Sequence, residues 1–405
     1  MIWIMAWRNI WRNATRSWVV IIAIALGIWA AIFMSGFATG MINSYVDGAI
    51  STVVGHVQIH HPEFMEDKEV KYVLQEPEQL IQQLSPTDDI KAYSIRSVAT
   101  GMIASSNASR GVQIQGVDPE AEAAVRQLDT KMIEGEYLQS DKRNPILVSQ
   151  RIADKLKLRI RSRLVLTFQD VEGEITSAAF RVSGIFDTKN NIFDEGHVFV
   201  LRSDLNRILN TSEQSAHEIA ILLHDNQQVK EVLPFWSSQL SSFLVEPYYV
   251  IAPDLRLYES QMSSISMIYL VVILLALIFG IINTMLMTIL ERFRELGMLM
   301  AIGMNKLRVF LMIVLETVLL SFVGVPLGLL GGWATVSYFG KYGLNLSAFS
   351  ESMQMYGMSD MAYFDLNPSV YWQVPLMVGI TALLASIYPA LKAIRLKPVE
   401  AIRKL

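Results

Sequence analysis

A charged segment at residues 291–308, with the sequence ERFRELGMLMAIGMNKLR, contains the residue types that point most clearly to a function. It begins with four charges in five residues and continues with residues that carry little or no side chain. The candidate residues are Glu291, Arg292, Arg294, Glu295, Gly297, Ala301 and Gly303. A charged first turn followed by a bare helical face suits a partner protein that packs closely against a helix. We therefore predict a binding helix here, and we predict no catalytic residue in the chain.

Three other groups of residues could do chemistry, and each has a simpler interpretation. Glu316 lies in an apolar stretch and could relay protons, but it is close enough to the end of that stretch to pair with a basic neighbour. His60 and His61 have no other histidine or carboxylate at ligand spacing, so we predict no metal site. A run of methionines could bind copper, although we favour apolar packing; these are Met353, Met355, Met358 and Met361.

Four long apolar stretches must position these residues. The chain is 52% hydrophobic, and the windows 17–46, 260–290, 309–340 and 366–391 together contain one charged residue, Glu316. About 20 apolar residues span a bilayer, so each window predicts a transmembrane helix. Buried helices of a large soluble protein, the alternative, seldom run so long without a charge. Close helix packing is predicted for the small residues of the third window, Gly324, Gly328, Gly331 and Gly332, with Pro326 beside them.

The basic residues orient these helices across the membrane. They cluster before the first window, between the second and third, and after the last. Residues 43–262, by contrast, carry 21 Lys and Arg against 31 Asp and Glu, a net charge of −10. We therefore predict that both termini and residues 291–308 are cytoplasmic, with a large domain outside. A cleaved signal peptide is the alternative at the N-terminus, but the apolar run is long and no clear cleavage site ends it.

The first sixteen residues show a repeated aromatic and basic spacing. Two sets recur every four positions: Trp3, Trp7 and Trp11, and then Arg8, Arg12 and Arg16. This spacing predicts an amphipathic helix in the membrane interface, with indoles at headgroup level and arginines towards lipid phosphates. An irregular basic leader would not repeat its spacing three times.

The outside segment predicts an α/β fold in two parts. Strand–helix–strand patterns at 53–104 and 217–251, the last strand being 243–251, predict a split subdomain at 51–119 and 212–252. A β-rich insertion occupies 120–211 and contains a turn at Asp170, Val171, Glu172, Gly173 and Glu174. The other predicted segments are the interfacial helix 1–16, helix and stalk 17–50, stalk and helix 253–290, charged helix 291–308, helix 309–340, outside loop 341–365, helix 366–391 and cytoplasmic tail 392–405.

The helical pattern around the second window is longer than a membrane requires. It runs from about residue 253 to 292, or about 60 Å at 1.5 Å per residue, against a hydrocarbon core of about 30 Å. The first helix is also long if it continues to residue 50. We therefore predict a stalk of paired helices that joins the charged segment to the outside domain as a mechanical transmission.

The stretch ERFRELGMLMAIGMNKLRVF resembles the coupling-helix signature of the MacB/FtsX/LolCE (type VII) superfamily of ABC transporter permeases. That signature is roughly E-R-x-R-E-(I/L)-G followed by A-(I/L)-G, and the ending YPALKAIRLKPVEAIRKL also resembles the family's. One departure is Met300, where many relatives carry Arg or Lys. With the four-helix topology, the resemblance covers the whole chain. It implies a Porter-type subdomain at 51–119 and 212–252, a Sabre-type insertion at 120–211 and a coupling helix at 291–308.

The resemblance also implies partners. Two permeases, identical or homologous, would each be served by one of two cytoplasmic ABC ATPase subunits in the inner membrane. The sequence contains no G-x-x-x-x-G-K-(S/T) phosphate loop. We therefore expect ATP and Mg²⁺ to bind the separate ATPase, this chain to bind no cofactor, membrane lipids to surround the helices, and no nucleic acid to take part.

Three functions occur within the family. The stretches VVGHVQIHHPEF and FRVSGIFDTKNNIFDEGHVFV resemble the lipoprotein-releasing LolC/LolE-type permeases, so we favour lipoprotein extraction towards the outer membrane. MacB-like efflux of drugs, toxins or siderophores through an outer-membrane duct is the alternative, and FtsX-like activation of cell-wall hydrolases, with its smaller outside domain, is a third. The turn 170–174 is the candidate loop for a periplasmic partner such as a lipoprotein carrier. The hairpin around it lacks a proline-rich tip, so this chain would be the subunit without the carrier-binding hook, or would work without that carrier.

Overall fold

The chain folds as two compact units. The structure is a computed structural model that describes residues 2–12, 14–84, 89–355 and 358–395. The helical unit comprises Met1–Asn43, Glu259–Asn345 and Met361–Leu405, and the α/β unit comprises Ser44–Tyr258 and Leu346–Asp360. Most of the predicted cytoplasmic tail, residues 396–405, lies outside the described residues.

Helices make up most of the helical unit and flank the sheet of the α/β unit. In the described residues the α-helices are α1 (Ile2–Arg12), α2 (Ala14–Ala49), α3 (Phe64–Asp67), α4 (Pro77–Leu84), α5 (Pro119–Arg126), α6 (Gln150–Leu156), α7 (Asn191–Gly196), α8 (Arg202–Leu209), α9 (Val229–Gln239), α10 (Tyr248–Ile251), α11 (Pro253–Glu291), α12 (Phe293–Ala301), α13 (Lys306–Tyr342), α14 (Ser350–Met355) and α15 (Val370–Ile394). A π-helical turn, Ile50–Val54, extends α2.

The strands lie mainly in the α/β unit. They are β1 (Val57–His60), β2 (Ile90–Ala104), β3 (Ser109–Val117), β4 (Met132–Gly135), β5 (Pro145–Ser149), β6 (Arg163–Gln169), β7 (Ile175–Phe186), β8 (His197–Leu201), β9 (Glu218–Leu223), β10 (Leu244–Pro247), β11 (Leu344–Asn345) and β12 (Met361–Ala362). The last two form a small antiparallel pair in the helical unit.

Four of the described helical stretches are long and apolar enough to cross a membrane: Ala14–Val54, Ser264–Glu291, Lys306–Tyr342 and Val370–Ile394. The predicted fold class, four transmembrane helices with an α/β domain between the first two, is confirmed. The helix α11 contains 39 residues without interruption, about 58 Å at 1.5 Å per residue. Both α2 and α11 begin in one unit and end in the other.

Two predicted boundaries in the helical unit differ from the structure. The predicted interfacial helix 1–16 ends as α1 at Arg12, so Arg16 belongs to α2. The predicted coupling helix 291–308 is shorter, because α12 ends at Ala301 and α13 begins at Lys306. The interruption has a local cause: Gly303 adopts a φ of +102°, which favours glycine, and the Asn305 side chain caps α13 by accepting from the Leu307 N–H.

Glycines on α13 let this helix pack closely against α2. A Cβ atom added to Gly328 would lie 2.7 Å from the carbonyl oxygen of Ala25, and one on Gly324 would lie 3.0 Å from that of Ile21. At Gly332, the added atom would lie 2.8 Å from Ile32. The predicted role of these glycines in close helix packing is confirmed.

The α/β unit contains a large mixed sheet. Its order along the described strands is β10-β1-β9-β2-β3-β8-β5-β7-β4, with β6 pairing with both β2 and β7. The fifteen-residue strand β2 pairs with β9 through its first part, and with β3 and β6 through its second. The insertion predicted to begin at residue 120 is therefore not separate from the first subdomain, since β2 and β3 contribute to its hydrophobic core.

The last predicted strand of this unit, 243–251, is shorter than expected. Strand β10 ends at Pro247, and α10 follows directly with Pro247 as its N-cap residue. A proline has no N–H to donate to a strand neighbour but is tolerated at the start of a helix, so the chain changes structure here.

Candidate coupling site

The candidate coupling site lies where α11 passes into α12 and α13. The chain leaves α11 at Glu291, and Arg292 occupies the break before α12 begins at Phe293. The positive φ of Gly303 then turns the chain back into α13. The charges of this segment are therefore held between two long apolar helices.

Arg292 forms a buried ion pair with Glu316 of α13. Its guanidinium lies 3.1 Å from the Glu316 carboxylate, and a second carboxylate, on Glu295, lies 3.2 Å from its Nε. Asn9 of α1 also donates to Glu316 Oε1, at 2.8 Å. The predicted pairing of Glu316 with a basic neighbour is confirmed, and the pair links α13 to the segment that precedes α12.

The arginines of the N-terminus pair with the same segment. Arg12 donates to Glu295, and Arg16 forms an ion pair with Glu291. The hydrogen bond from Arg12 holds the pKa of the Glu295 carboxyl below its usual value, so Glu295 stays charged at neutral pH. The prediction that these arginines face lipid phosphates is therefore wrong for Arg12 and Arg16, whose charges are engaged within the protein; Arg8 is exposed.

The tryptophan spacing of α1 produces an exposed aromatic face. Trp3, Trp7 and Trp11 are all exposed, and the rings of Trp7 and Trp11 pack edge to face with centroids 5.9 Å apart. The opposite side of α1 is buried in the core of the helical unit through Ala6 and Ile10. Helix α1 thus belongs to the packed bundle, while its indoles remain available to a membrane interface.

Of the seven predicted coupling residues, two are buried, four are exposed and Glu295 is half-buried. Arg292 and Gly297 are buried, so they hold the segment together and do not contribute to a surface for a partner. The physical reasons are the Arg292–Glu316 pair and the packing of the Gly297 side of α12. Ala301 and Gly303 are exposed, as are Glu291 and Arg294.

Sequence reasoning missed the exposed apolar residues of this segment. Met298 is 53% exposed, Ile302 is 80% exposed and Leu307 is 60% exposed. We call these three residues the apolar coupling face. Their positions among the charges of 291–308 were the available signal. Met298 and Ile302 lie between two of the candidate membrane spans, and Leu307 lies in the first turn of the later one. Large exposed apolar side chains in a segment between spans are typical of protein-binding surfaces.

The turn 170–174 joins β6 to β7 as a tight hairpin loop. The Asp170 carboxylate accepts from the N–H groups of Glu172 and Glu174, each at 3.0 Å, and Asn210 also donates to it. Asp170 is buried and fixes the loop, whereas Glu172, Gly173 and Glu174 are exposed at the tip and Val171 is half-buried.

The two candidate histidines are engaged in hydrogen bonds and ring packing. Both ring nitrogens of His60 have partners, since Nδ1 lies 3.2 Å from the His217 carbonyl oxygen and Nε2 lies 3.0 Å from Gln58 Oε1. His61 stacks on Tyr72. Within the described residues, no three His, Cys, Asp or Glu side chains come together as a metal site.

Comparison with known proteins places the chain in a family. Residues 17–233 match the family of the MacB-like periplasmic core domain, and residues 267–398 match that of the FtsX-like permease C-terminal region. The first match alone covers more than half of the chain.

Individual relatives are more distant. LolC of Xylella fastidiosa (strain Temecula1), a lipoprotein-releasing system transmembrane protein, is 23% identical over 55% of this chain and 55% of its own length. The macrolide export ATP-binding/permease protein MacB of Neisseria gonorrhoeae is 23% identical over 64% of this chain and 38% of its own. The chain thus spans about half the length, or less, of these curated relatives. The periplasmic region of MacB from Actinobacillus actinomycetemcomitans is 12% identical over 52% of this chain and 97% of that one, with a TM-score of 0.36.

The family matches cover both halves of the molecule, the outside domain and the membrane helices with the charged segment. The chain is a membrane protein and belongs to the MacB/FtsX/LolCE superfamily of ABC transporter permeases.

Proposed function

We propose that this chain transmits the motion of a separate, ATP-hydrolysing subunit across the inner membrane to its own outside domain. The observation that carries this proposal is the continuity of α11, which runs unbroken from Pro253 in the α/β unit to Glu291 in the ion-paired coupling site. A helix without a break can carry a displacement along its axis. In this proposal both termini and the coupling site are cytoplasmic.

The apolar coupling face is the proposed docking surface for the ATPase. Its three exposed side chains lie on α12, just after it and at the start of α13, next to the charges that Arg12 and Arg16 hold in place. Exposed large apolar side chains of this kind provide the anchor residues that dominate protein interfaces. Movement of the ATPase at this segment would move α1 with α12 and α2 with α11, because the Arg12–Glu295 and Arg16–Glu291 ion pairs join them.

A substitution at the centre of this face tests the docking. Ile302→Asp should weaken ATPase binding by about 30-fold or more, the loss of one interface hot spot of about 2 kcal/mol. The matched control is Phe235→Asp, which changes an exposed apolar side chain of α9 in the other unit. Binding is measured between the purified permease and its cognate ABC ATPase subunit. Unchanged binding of the Ile302→Asp variant would rule out this docking surface.

The proposed transmission also reaches the sheet of the α/β unit through α2, by way of the π-helical turn that extends this helix. Arg126 donates to the Val53 carbonyl oxygen at 2.7 Å, and Gln58 donates to that of Val54 at 2.7 Å. Arg126 is itself held by Glu122, at 2.8 Å. These contacts fix the end of α2 to α5 and β1, so a displacement of the helix would move the sheet with it.

Behind this junction lies a fully buried network of charges. Arg96 of β2 contacts Glu122 at 2.9 Å and Glu218 of β9 at 2.7 Å. Two arginines and two carboxylates thus neutralise each other inside the unit, joining α5, β2 and β9. A buried charge without its partner is strongly unfavourable, which makes such a junction stiff and its geometry specific.

We further propose that the transported substrate is a lipoprotein, released from the membrane towards a periplasmic carrier. The similarity to LolC, which is named as part of a lipoprotein-releasing system, supports this proposal. MacB-like export of small molecules is the second candidate, supported by the similarity to MacB. In both cases ATP and Mg²⁺ bind the partner ATPase, and a second permease, identical or homologous, completes the transporter.

Reconstitution distinguishes the two substrates. The permease and the products of its neighbouring genes are placed in proteoliposomes that contain a labelled lipoprotein. ATP-dependent appearance of the lipoprotein in the soluble fraction, when a periplasmic carrier is added, is the expected result. No release, together with ATPase stimulation by macrolides and a membrane-fusion protein, would instead assign the chain to efflux.

A further inference from the structure

A cleft rich in positive charge opens on the α/β unit, away from the α2 junction residues described above. It has a volume of about 820 Å³ and lies between the loop before β5, the turn before β6 and strand β7. Its cationic residues are Lys142, Arg143, Arg161, Arg163 and Arg181. We call it the arginine cleft.

The backbone that displays these cations is fixed by hydrogen bonds to β7. The Arg181 N–H donates to the Asn144 carbonyl oxygen at 3.0 Å, and the Asn144 side chain donates back to Ala179 at 3.0 Å. On the other side, the Arg161 N–H donates to Val182 at 2.8 Å. Both loops are thus held to one strand, which fixes the backbone from which the exposed arginine side chains extend.

Two of the arginines face each other directly without a counter-charge. Arg163 of β6 and Arg181 of β7 are antiparallel partners in the strand register, so their side chains leave the same face side by side. Like charges directly opposite each other destabilise a sheet. Among the described residues, neither side chain has a hydrogen-bonding or ion-pair partner. The acidic residue that lines the cleft, Glu136, is paired with Lys142.

The charge of the cleft contrasts with that of its surroundings. The outside segment 43–262 has a net charge of −10, yet this cleft is lined by five cations and one carboxylate, which is itself paired. Arginine presents its N–H groups in a planar fork that matches the oxygens of a phosphate. A ligand with phosphate groups would relieve the repulsion between Arg163 and Arg181 and use donors that the protein leaves free.

We propose that the arginine cleft binds a ligand that carries phosphate, either a lipid headgroup or free phosphate. This site is independent of the proposed coupling function, because it uses none of its residues. Removal of the two facing arginines should weaken binding by about 10- to 100-fold, as expected when charge-assisted hydrogen bonds are lost.

The test uses the full chain in detergent micelles, titrated calorimetrically with inorganic phosphate and, separately, with dihexanoyl phosphatidic acid. The variant R163Q/R181Q should lose binding of both probes. The control K157Q/K230Q removes the same net charge at exposed positions outside the cleft and should bind as the unaltered protein does. Tighter binding of the lipid than of phosphate would identify a headgroup, and equal binding would identify free phosphate.

The ligand-free R163Q/R181Q protein should unfold at the same or a higher temperature, because the substitution removes a repulsion. If it is less stable, R143Q/R161Q, which changes only the fixed loops, provides the binding result in its place. Absence of saturable binding to both probes, or an equal loss in the control, would overturn the proposal. So would binding of hexaglutamate that phosphate fails to displace, since that result would assign the cleft to an acidic protein partner.

Discussion

The buried pair between Arg292 and Glu316 offers the sharpest test of how the coupling site is held together. The two side chains are 10% and 7% exposed, so both are almost fully removed from water. Glu316→Gln keeps the size of the side chain and an acceptor for Asn9 but removes the charge. Breaking a buried pair in this way costs about 3–5 kcal/mol. Arg292 keeps a second carboxylate, on Glu295, so we expect the lower end, about 3 kcal/mol.

An exposed pair in the same site provides the matched control. Arg12 and Glu295 are 50% and 44% exposed, and such pairs contribute about 0–1 kcal/mol. The free energy of unfolding is measured in mixed micelles by titration with SDS. Arg12→Gln should be nearly neutral, and Glu316→Gln should be destabilised by at least about 2 kcal/mol more than this control.

A double variant separates charge pairing from other effects. In R292M/E316Q neither member of the pair carries a charge, so the double variant should be less destabilised than the sum of the two single variants, by about 2 kcal/mol. Additive single effects, or a Glu316→Gln variant as stable as Arg12→Gln, would refute the reasoning that this ion pair holds the segment.

Three further predictions concern other parts of the molecule. Gly328→Val should overpack the contact of α13 with α2 and lower the free energy of unfolding by about 1–3 kcal/mol. Gly280→Val should not have this effect, because a Cβ added there meets nothing within 4 Å. SDS titration compares the stability of the two variants. Burial, with a smaller contribution from a neighbouring aspartate, raises the pKa of Asp194 to about 7. The folded state therefore binds the proton of the Asp194 carboxyl more tightly than the unfolded state does. The stability that this group contributes should be lost as the pH rises from 3.8 towards about 7, and the Asp194→Asn variant should not show this loss. Denaturation measured at several pH values compares the two proteins. A flexible Gly/Ser insertion near Glu259 in α11 should preserve ATP hydrolysis but stop substrate release, while the same insertion after Asn107 in the β2–β3 turn should preserve both; unchanged release in the first case would contradict the mechanical proposal.

Much of the fold could be predicted because its signals are local. Long windows without charge predicted the four membrane helices, and glycines at helical spacing predicted the close packing of α13. The end of the coupling helix was predicted less well. Its interruption depends on the φ of Gly303 and the Asn305 cap, which end α12 at Ala301 even though the charged pattern continues.

The coupling site was also predicted incompletely, because the burial of each residue could not be read from the sequence. The sequence located the charges of residues 291–308, but it could not show that Arg292 and Gly297 turn inwards while Ile302 remains outside. Burial depends on which helices pack against a segment, and that depends on contacts between residues far apart in the chain. The shared strand β2, which joins two predicted subdomains, was missed for this reason as well.

The sequence by itself determined the class of the protein, its four membrane helices and the position of the charged segment, since hydropathy and charge patterns are properties of neighbouring residues. Only the tertiary structure decided that Arg12 meets Glu295, 283 residues away, and that Arg96 of β2 meets Glu218 of β9, 122 residues away. These pairings arise when long loops close and distant elements come into register. No local pattern encodes them, because the free energy that selects them comes from the packing of the whole unit.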